Sequence, residues 1–191
     1  MRIIGGRARG LKLAEVGDGD AAGHLRPTSD RVREAIFNLL INGAQAIDLD
    51  GLRVLDLFAG TGALGLEALS RGAAQCTFVD EGAASRALLR QNIEKMRAMG
   101  VTNVFRRDAT RLGENHGVPF DLVFLDPPYG MGMGEKALAS ARAGGWLAPG
   151  ARVVWEEASP QAAPDGFALI DHRRYGNTDV TFLSYGGEHA A

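Results

Sequence analysis

Arg53-Val54-Leu55-Asp56-Leu57-Phe58-Ala59-Gly60-Thr61-Gly62-Ala63-Leu64-Gly65 is a short, mostly apolar run that breaks into glycines. Beyond them, Ala63, Leu64, Leu66, Ala68 and Leu69 are helix formers uninterrupted by proline. The order is therefore strand, tight glycine turn, helix. Gly60 and Gly62 let the backbone turn sharply and approach a ligand, and Gly65 lets the helix lie close to the strand.

Gly60-x-Gly62-x-x-Gly65 matches, by spacing, a dinucleotide-binding fingerprint, and Asp80 ends the next apolar run, Cys76-Thr77-Phe78-Val79. A carboxylate there accepts the ribose hydroxyls of any adenosine-containing ligand, so Asp80 does not separate NAD from S-adenosylmethionine. Asp56 discriminates better. Four residues before the first glycine, it suits the cationic amino acid end of S-adenosylmethionine and would repel a pyrophosphate. The expected cofactor contacts are Asp56, the loop Phe58, Ala59, Gly60, Thr61 and Gly62, the acid Asp80, and Asp108 with Ala109. The last two follow the expected third strand, Val104-Phe105-Arg106, where a side chain and a backbone N–H can read an adenine edge.

A second motif, Asp126-Pro127-Pro128-Tyr129, begins where the buried-strand pattern Phe120 to Leu125 ends. The two prolines remove amide donors and fix φ, which leaves a stiff loop rich in acceptors. Such a loop suits an exocyclic amine on a nucleobase, a poor nucleophile because its lone pair is delocalised into the ring. If Asp126 and a carbonyl of this loop accept its two N–H bonds, they favour the pyramidal nitrogen needed for in-line attack on a sulfonium methyl. Tyr129 would stack on the base, a contact worth roughly 1–3 kcal/mol. Asp126, Pro127, Pro128 and Tyr129 are thus the candidate catalytic residues, and a dehydrogenase reading has no use for them.

With 191 residues, 46% of them hydrophobic, the chain is long enough for one well-filled domain. No apolar run approaches 18 residues and no signal-peptide pattern opens the chain, so a cytoplasmic site is expected. Cys76 is the single cysteine and sits in an apolar run, so a packed thiol is expected. His24, His116, His172 and His189 are too scattered to imply a metal. The net charge of −2 argues against indiscriminate coating of nucleic acid. Residues 1–33, however, hold seven Lys/Arg against four acids, leaving 14 against 19 in the rest.

That basic front divides into an arm, residues 1–26, and the start of the catalytic domain, residues 27–191. Gly5-Gly6 and Gly10 suggest a short hairpin from which Arg7 and Arg9 project toward phosphates, followed by an acidic glycine-rich loop, Gly17 to Gly23, with no visible task. Arg26-Pro27-Thr28-Ser29-Asp30 starts a helix capped by Thr28 or Ser29, with Val32, Ala35, Ile36, Leu39 and Leu40 on its apolar face and Gly43 as its stop. Arg26, Arg31 and Arg33 are left for the cofactor mouth or the nucleic acid.

Downstream, Ala83 to Met99 reads as a helix ended by Gly100, and Met131 to Gly134 as a candidate lid. Glu135 to Ala143 reads as a helix, and Arg152–Glu156, Ala168–Tyr175 and Val180–Tyr185 as strands. The expected fold class is α/β, Rossmann-like. It has a central seven-stranded, mostly parallel sheet closed by an antiparallel last strand, with helices on both faces and a short N-terminal hairpin.

The two motifs together resemble class I S-adenosylmethionine-dependent amino-methyltransferases. About thirty residues precede the first helix and no large insertion follows Tyr129, which leaves no room for a DNA target-recognition region. Protein glutamine methyltransferases usually carry Asn where this chain has Asp126. Adding Arg2-Ile3-Ile4-Gly5-Gly6 with Gly10, and Arg26-Pro27-Thr28-Ser29-Asp30-Arg31-Val32-Arg33-Glu34-Ala35-Ile36-Phe37-Asn38, the chain resembles along its length the small bacterial 16S ribosomal RNA guanine-N2 methyltransferases of the RsmD type. The resemblance implies S-adenosyl-L-methionine as cofactor and, as substrate, one guanine of 16S RNA in the small subunit or an assembly intermediate. A monomer is expected, with no membrane and no metal. The chain departs from the family in the length of the Gly17–Gly23 loop and in having Asp80 where Glu is usual. Two alternatives stay open: another amino-methyltransferase, acting on DNA adenine or protein glutamine, and a non-catalytic ribosome assembly factor.

Overall fold

In the computed structural model, residues 1–15 and 29–186 are described. The readings that fall on Gly17–Gly23, His24, Arg26, Pro27, Thr28 and His189 lie outside the described residues. The elements are α1 (Asp30–Asn42), β1 (Arg53–Leu57), α2 (Ala63–Ser70), β2 (Gln75–Val79), α3 (Ala83–Lys95), β3 (Thr102–Phe105), β4 (Phe120–Leu125), α4 (Met133–Ala143), β5 (Leu147–Glu157), β6 (Phe167–Tyr175) and β7 (Thr178–Tyr185).

The strands form one seven-stranded sheet in the order β3-β2-β1-β4-β5-β7-β6. β1 to β5 run parallel, and β7 is antiparallel to both β5 and β6. The chain leaves β1 outward to β3 on one side and then returns to β4 on the other. The loops after β1 and β4 therefore flank the crevice at the topological switch point, where open α/β sheets bind ligands.

Strand alternation sorts the core onto two faces. Val54, Cys76, Phe78, Leu122, Phe124, Val154 and Phe182 pack with Ile36, Phe37 and Leu40 of α1, Leu66 of α2 and Leu89 and Ile93 of α3. Leu55, Leu57, Val123, Leu125, Val153 and Trp155 pack on the opposite face with Ala137, Leu138 and Ala141 of α4. Phe37 meets Phe124 at a ring separation of 5.6 Å, which fixes α1 against β4. Ser29 caps α1 by accepting the Val32 N–H, and Gly43 ends it.

Several boundaries differ from the sequence reading: β3, β6 and β7 begin one or two residues earlier, at Thr102, Phe167 and Thr178, and three other differences have a clear physical cause. α3 stops at Lys95 rather than running to Met99. Arg97 takes the left-handed conformation (φ 54°), and the Ala98 and Arg97 N–H groups turn back to Ile93 and Glu94 carbonyls, so an arginine does the task usually given to glycine. β5 begins at Leu147 rather than Arg152. Pro149 and Gly150 detour between its pairing with Phe120 and its pairing with Leu122, which disguised the strand. Met133 and Gly134 belong to α4 instead of a lid, and a Cβ on Gly134 would collide with the Trp155 ring.

The N-terminal hairpin is part of the domain. Ile3 N–H donates to Leu11 O (2.9 Å), Gly10 N–H to Ile3 O (2.8 Å), and Ile3 and Leu13 are buried in the α1–α3 core. Its backbone is fastened along α2. Ile4 and Gly5 N–H groups donate to the Glu67 carboxylate (2.8 Å each), and Ala8 N–H donates to Ser70 Oγ (2.9 Å).

Candidate active site

The turn after β1 is built from left-handed backbone: Phe58 (φ 57°), Gly60 (φ 55°) and Gly62 (φ 79°). A Cβ on Gly65 would lie 2.5 Å from Cys76 Sγ and from the Phe78 ring, so only glycine lets α2 rest on β2. The loop is held from three sides. Ala59 N–H donates to Val79 O (3.1 Å), Gly60 N–H to Asp80 Oδ2 (2.8 Å), and Asn92 of α3 donates from Nδ2 to Thr61 O (3.0 Å). Asn92 is fully buried and also accepts the Ala14 N–H (2.6 Å), which places the end of the hairpin beside the loop.

Asp56 shares its face of β1 with Val54 and is almost wholly buried, its Oδ2 accepting the Gly65 N–H at 2.9 Å. Burial pushes its carboxyl well above the usual range. The Gly65 N–H opposes the rise, and the nearby charges of Asp126 and Asp80 add to it. Asp80 is raised as well, first by burial, against the Gly60 and Gly82 N–H groups and Arg86. The structure thus brings Asp56, Asp80 and Asp126 together from the ends of three adjacent strands. Asp108 is different. It caps a short turn, taking the Thr110 hydroxyl (2.7 Å) and N–H (2.8 Å), and those bonds lower its carboxyl below the ordinary value. The side chain of its neighbour Ala109 is buried.

At the end of β4, Asp126 is half-buried and its N–H donates to Leu57 O at 3.4 Å. Pro127 is buried and Tyr129 is 42% exposed, available for stacking. Tyr129 Oη lies 3.4 Å from Thr178 Oγ1, and burial pushes the phenol up to about 12. The loop exit is pinned by a residue the sequence reading missed. Glu157, buried at the end of β5, accepts the Gly130 and Ala158 N–H groups at 2.9 Å each. No short motif marks it; only the pairing of β4 with β5 brings it there.

The proposed RNA contacts separate into groups. Arg7 and Arg9 are exposed at the hairpin tip, but the tip lies at the Ser70 end of α2, the end away from the cofactor loop; Arg7 N–H donates to Ser70 O. Eight residues of helix put that tip about 12 Å down the side of the domain. Arg31 is exposed on the first turn of α1. Arg33 is a correction: it is fully buried, donating to Arg2 O and to Asp30 Oδ1 (2.8 Å) and lying 3.7 Å from Glu67, so it clamps α1 to α2 and the hairpin and presents nothing to RNA. Arg26 lies outside the described residues.

Cys76 is buried with its thiol pushed up by burial, the environment of a packed and inert group. Among the described residues, no group of three or more His, Cys, Asp or Glu side chains is placed to hold a metal ion, and no helix is long and apolar enough to cross a membrane.

Three converging carboxylates, one driven toward its neutral form first by burial and then by the other two, fit a ligand that brings positive charge. The ammonium and sulfonium of S-adenosylmethionine do so, whereas a pyrophosphate does not. The strand order, the glycine turn after β1 and the acidic ends of β1 and β2 define a class I S-adenosylmethionine-dependent methyltransferase. The sequence profile of the family described as Conserved hypothetical protein 95 matches residues 1–184, and the chain belongs to that family. It is 40% identical over 164 residues to ribosomal RNA small subunit methyltransferase D of Escherichia coli, covering 86% of this chain and 78% of that protein. It is 34% identical over 182 residues to the protein of the same name from Haemophilus influenzae, covering 92% and 89%. Among solved structures it is similar to yhhF from Escherichia coli, with a TM-score of 0.80 and 33% identity over 98% of this chain and 99% of that one. TrmN from Thermus thermophilus is similar at a TM-score of 0.64 and 28% identity, over 81% of this chain and 48% of that one.

Proposed function

We propose that the chain transfers a methyl group from S-adenosyl-L-methionine to the exocyclic N2 amine of one guanine in 16S ribosomal RNA, within the small subunit or an assembly intermediate. The observation that carries this reading is the Asp126 N–H bond to Leu57 O, which ties the amine-binding loop to the start of the cofactor loop. The names of the curated relatives support the ribosomal RNA of the small subunit, and the guanine rests on the resemblance to RsmD-type enzymes.

When bound, the cofactor supplies an electrophilic methyl on a sulfonium. Asp80 would hold its ribose hydroxyls and Asp56 would face its amino acid end. Asp126 and a carbonyl of the Pro127-Pro128 segment accept the two N–H bonds of the guanine amine and turn its lone pair toward the methyl. Tyr129 covers the base as a neutral phenol, its proton held far above working pH. Because the amine becomes strongly acidic once methylated, it would give its proton to water, and Asp126 would not need to act as a strong base. A guanine in an RNA loop costs little to unstack, and a small enzyme takes specificity from ribosome shape. One chain carries both loops, which supports action as a monomer. Arg7, Arg9 and Arg31 would then meet phosphates along the flank.

The test is tritiated methyl transfer to small ribosomal subunits lacking the modification, with naked 16S RNA, duplex DNA and a release-factor protein alongside, followed by nucleoside analysis. Label in N2-methylguanosine is expected. Label in N6-methyladenine or in protein overturns the substrate assignment, and no label in any acceptor favours the assembly factor.

A further inference from the structure

The β6–β7 turn, which the motif reading left without a task, stands beside Tyr129. Register pairs Glu157 at the end of β5 with Asp179, so the turn reaches past the carboxyl edge of the sheet. There Thr178 Oγ1 meets Tyr129 Oη at 3.4 Å, and Tyr175 is the direct cross-strand partner of Thr178.

The turn presents an arginine that is held in advance. The Arg174 side chain is 63% exposed, yet its Nε donates to Gly176 O at 3.2 Å and its Nη1 lies 3.7 Å from Asp179 Oδ2. Asp179 is 1% exposed, and neither of its carboxylate oxygens has an aligned hydrogen bond, although His172 Nε2 approaches to 2.9 Å. A buried carboxylate in that state fixes the guanidinium above it by charge. These contacts engage Nε and Nη1, and with the side chain this exposed the remaining N–H groups of the planar guanidinium can reach phosphate oxygens. Between Asp171 and Asp179, two arginines are balanced by two acids, so the turn has no general attraction for polyanions and a contact here must be local.

Resting on the proposed function, we propose that the β6–β7 turn is a substrate subsite in which Arg174 grips the RNA phosphate adjoining the target nucleotide, while Thr178 orients Tyr129 over the base. The turn and the Asp126–Tyr129 loop form the two sides of the mouth through which a single-stranded nucleotide enters.

Steady-state methyl transfer to unmodified small subunits tests the subsite, with cofactor affinity measured separately by calorimetry. Arg174→Ala should raise KM for the subunit about tenfold, leave the Kd of S-adenosylmethionine unchanged and change kcat by less than twofold. Arg174→Lys, which keeps the charge but not the fork, should recover only part of the loss, and Arg174→Glu should exceed the alanine effect. A wild-type chain that labels RNA together with an Arg174→Glu variant of unaltered KM overturns the subsite and leaves the reaction assignment standing. A wild-type chain that labels no RNA overturns both.

Discussion

Gly60 donates its N–H to Asp80 Oδ2 at 2.8 Å, so the acid expected to hold the ribose is already the acid that holds the cofactor loop. Its other oxygen takes the Gly82 N–H at 2.7 Å, joining the turn after β1 to the start of α3. Replacing Asp80 therefore removes a ligand contact and loosens the loop at the same time. Hydrogen bonds to a charged group are worth about 1.5–3 kcal/mol, so Asp80→Ala should weaken S-adenosylmethionine binding by roughly 10- to 100-fold. Asp80→Asn, which keeps an acceptor, should lose less. Titration calorimetry decides, and equal affinities for wild type and Asp80→Ala would remove Asp80 from the cofactor site.

Asp126 should show the opposite signature. Its N–H bond to Leu57 belongs to the main chain and survives substitution, and Pro127 and Pro128 keep the loop stiff. Asp126→Ala is expected to lower kcat at least about 10²-fold, the scale of losing one group aimed at the reacting centre, with cofactor affinity within a few-fold of wild type. A variant that loses cofactor affinity and keeps kcat would exchange the roles assigned to Asp80 and Asp126.

Asp56 predicts a pH dependence of cofactor binding. In the free protein, burial holds its carboxyl well above the usual carboxylate range, with Asp126 and Asp80 adding to the rise, so it keeps a proton at pH values where an exposed acid has lost it. A bound ammonium or sulfonium favours the charged form, so binding releases that proton. Affinity should therefore tighten as pH rises from the normal carboxylate range through the raised value, then level off. The same group affects stability with the reverse sign. Because its folded-state value is raised, its contribution is fullest below the unfolded value and is lost as pH rises through the folded one. Calorimetry in buffers of different ionisation heat counts the released proton, and Asp56→Asn should abolish the release.

Local sequence carried the fold as far as local physics decides it. β1, β4 and α2 are bounded by glycines or by Asp-Pro, and their apolar runs have one reading; β5 hid its first half behind Pro149-Gly150. The two site motifs were legible because each is contiguous and ends a strand. Glu157, Asn92 and Arg174 were not, since each becomes functional only through strand pairing or helix packing between distant segments. Arg33 was misread for a related reason. Ile36, Phe37 and Leu40 stand at i+3, i+4 and i+7 from Arg33, so it lies on the buried face of α1, but a charge there reads as exposed until the hairpin and Glu67 supply its partners.

Glu67 is where that hidden arrangement can be tested. It sits on α2 at 0% exposure and accepts Ile4 and Gly5 N–H groups at 2.8 Å and Arg71 Nε at 2.7 Å, with Arg33 Nε 3.7 Å away. Glu67→Ala would leave two amides unbonded and take the shared carboxylate from Arg33 and Arg71. Breaking a buried pair from one side costs about 3–5 kcal/mol. Glu67→Gln keeps an acceptor oxygen but loses the charge, and should cost less. Urea denaturation gives both values, and the hairpin amides of Ile4 and Gly5 should lose protection from hydrogen exchange in Glu67→Ala before the sheet does. If Glu67→Ala unfolds within about 1 kcal/mol of wild type, the hairpin is held by Ile3 and Leu13 burial instead. Then the rigid link between the flank carrying Arg7 and Arg9 and the cofactor helix is lost as an explanation.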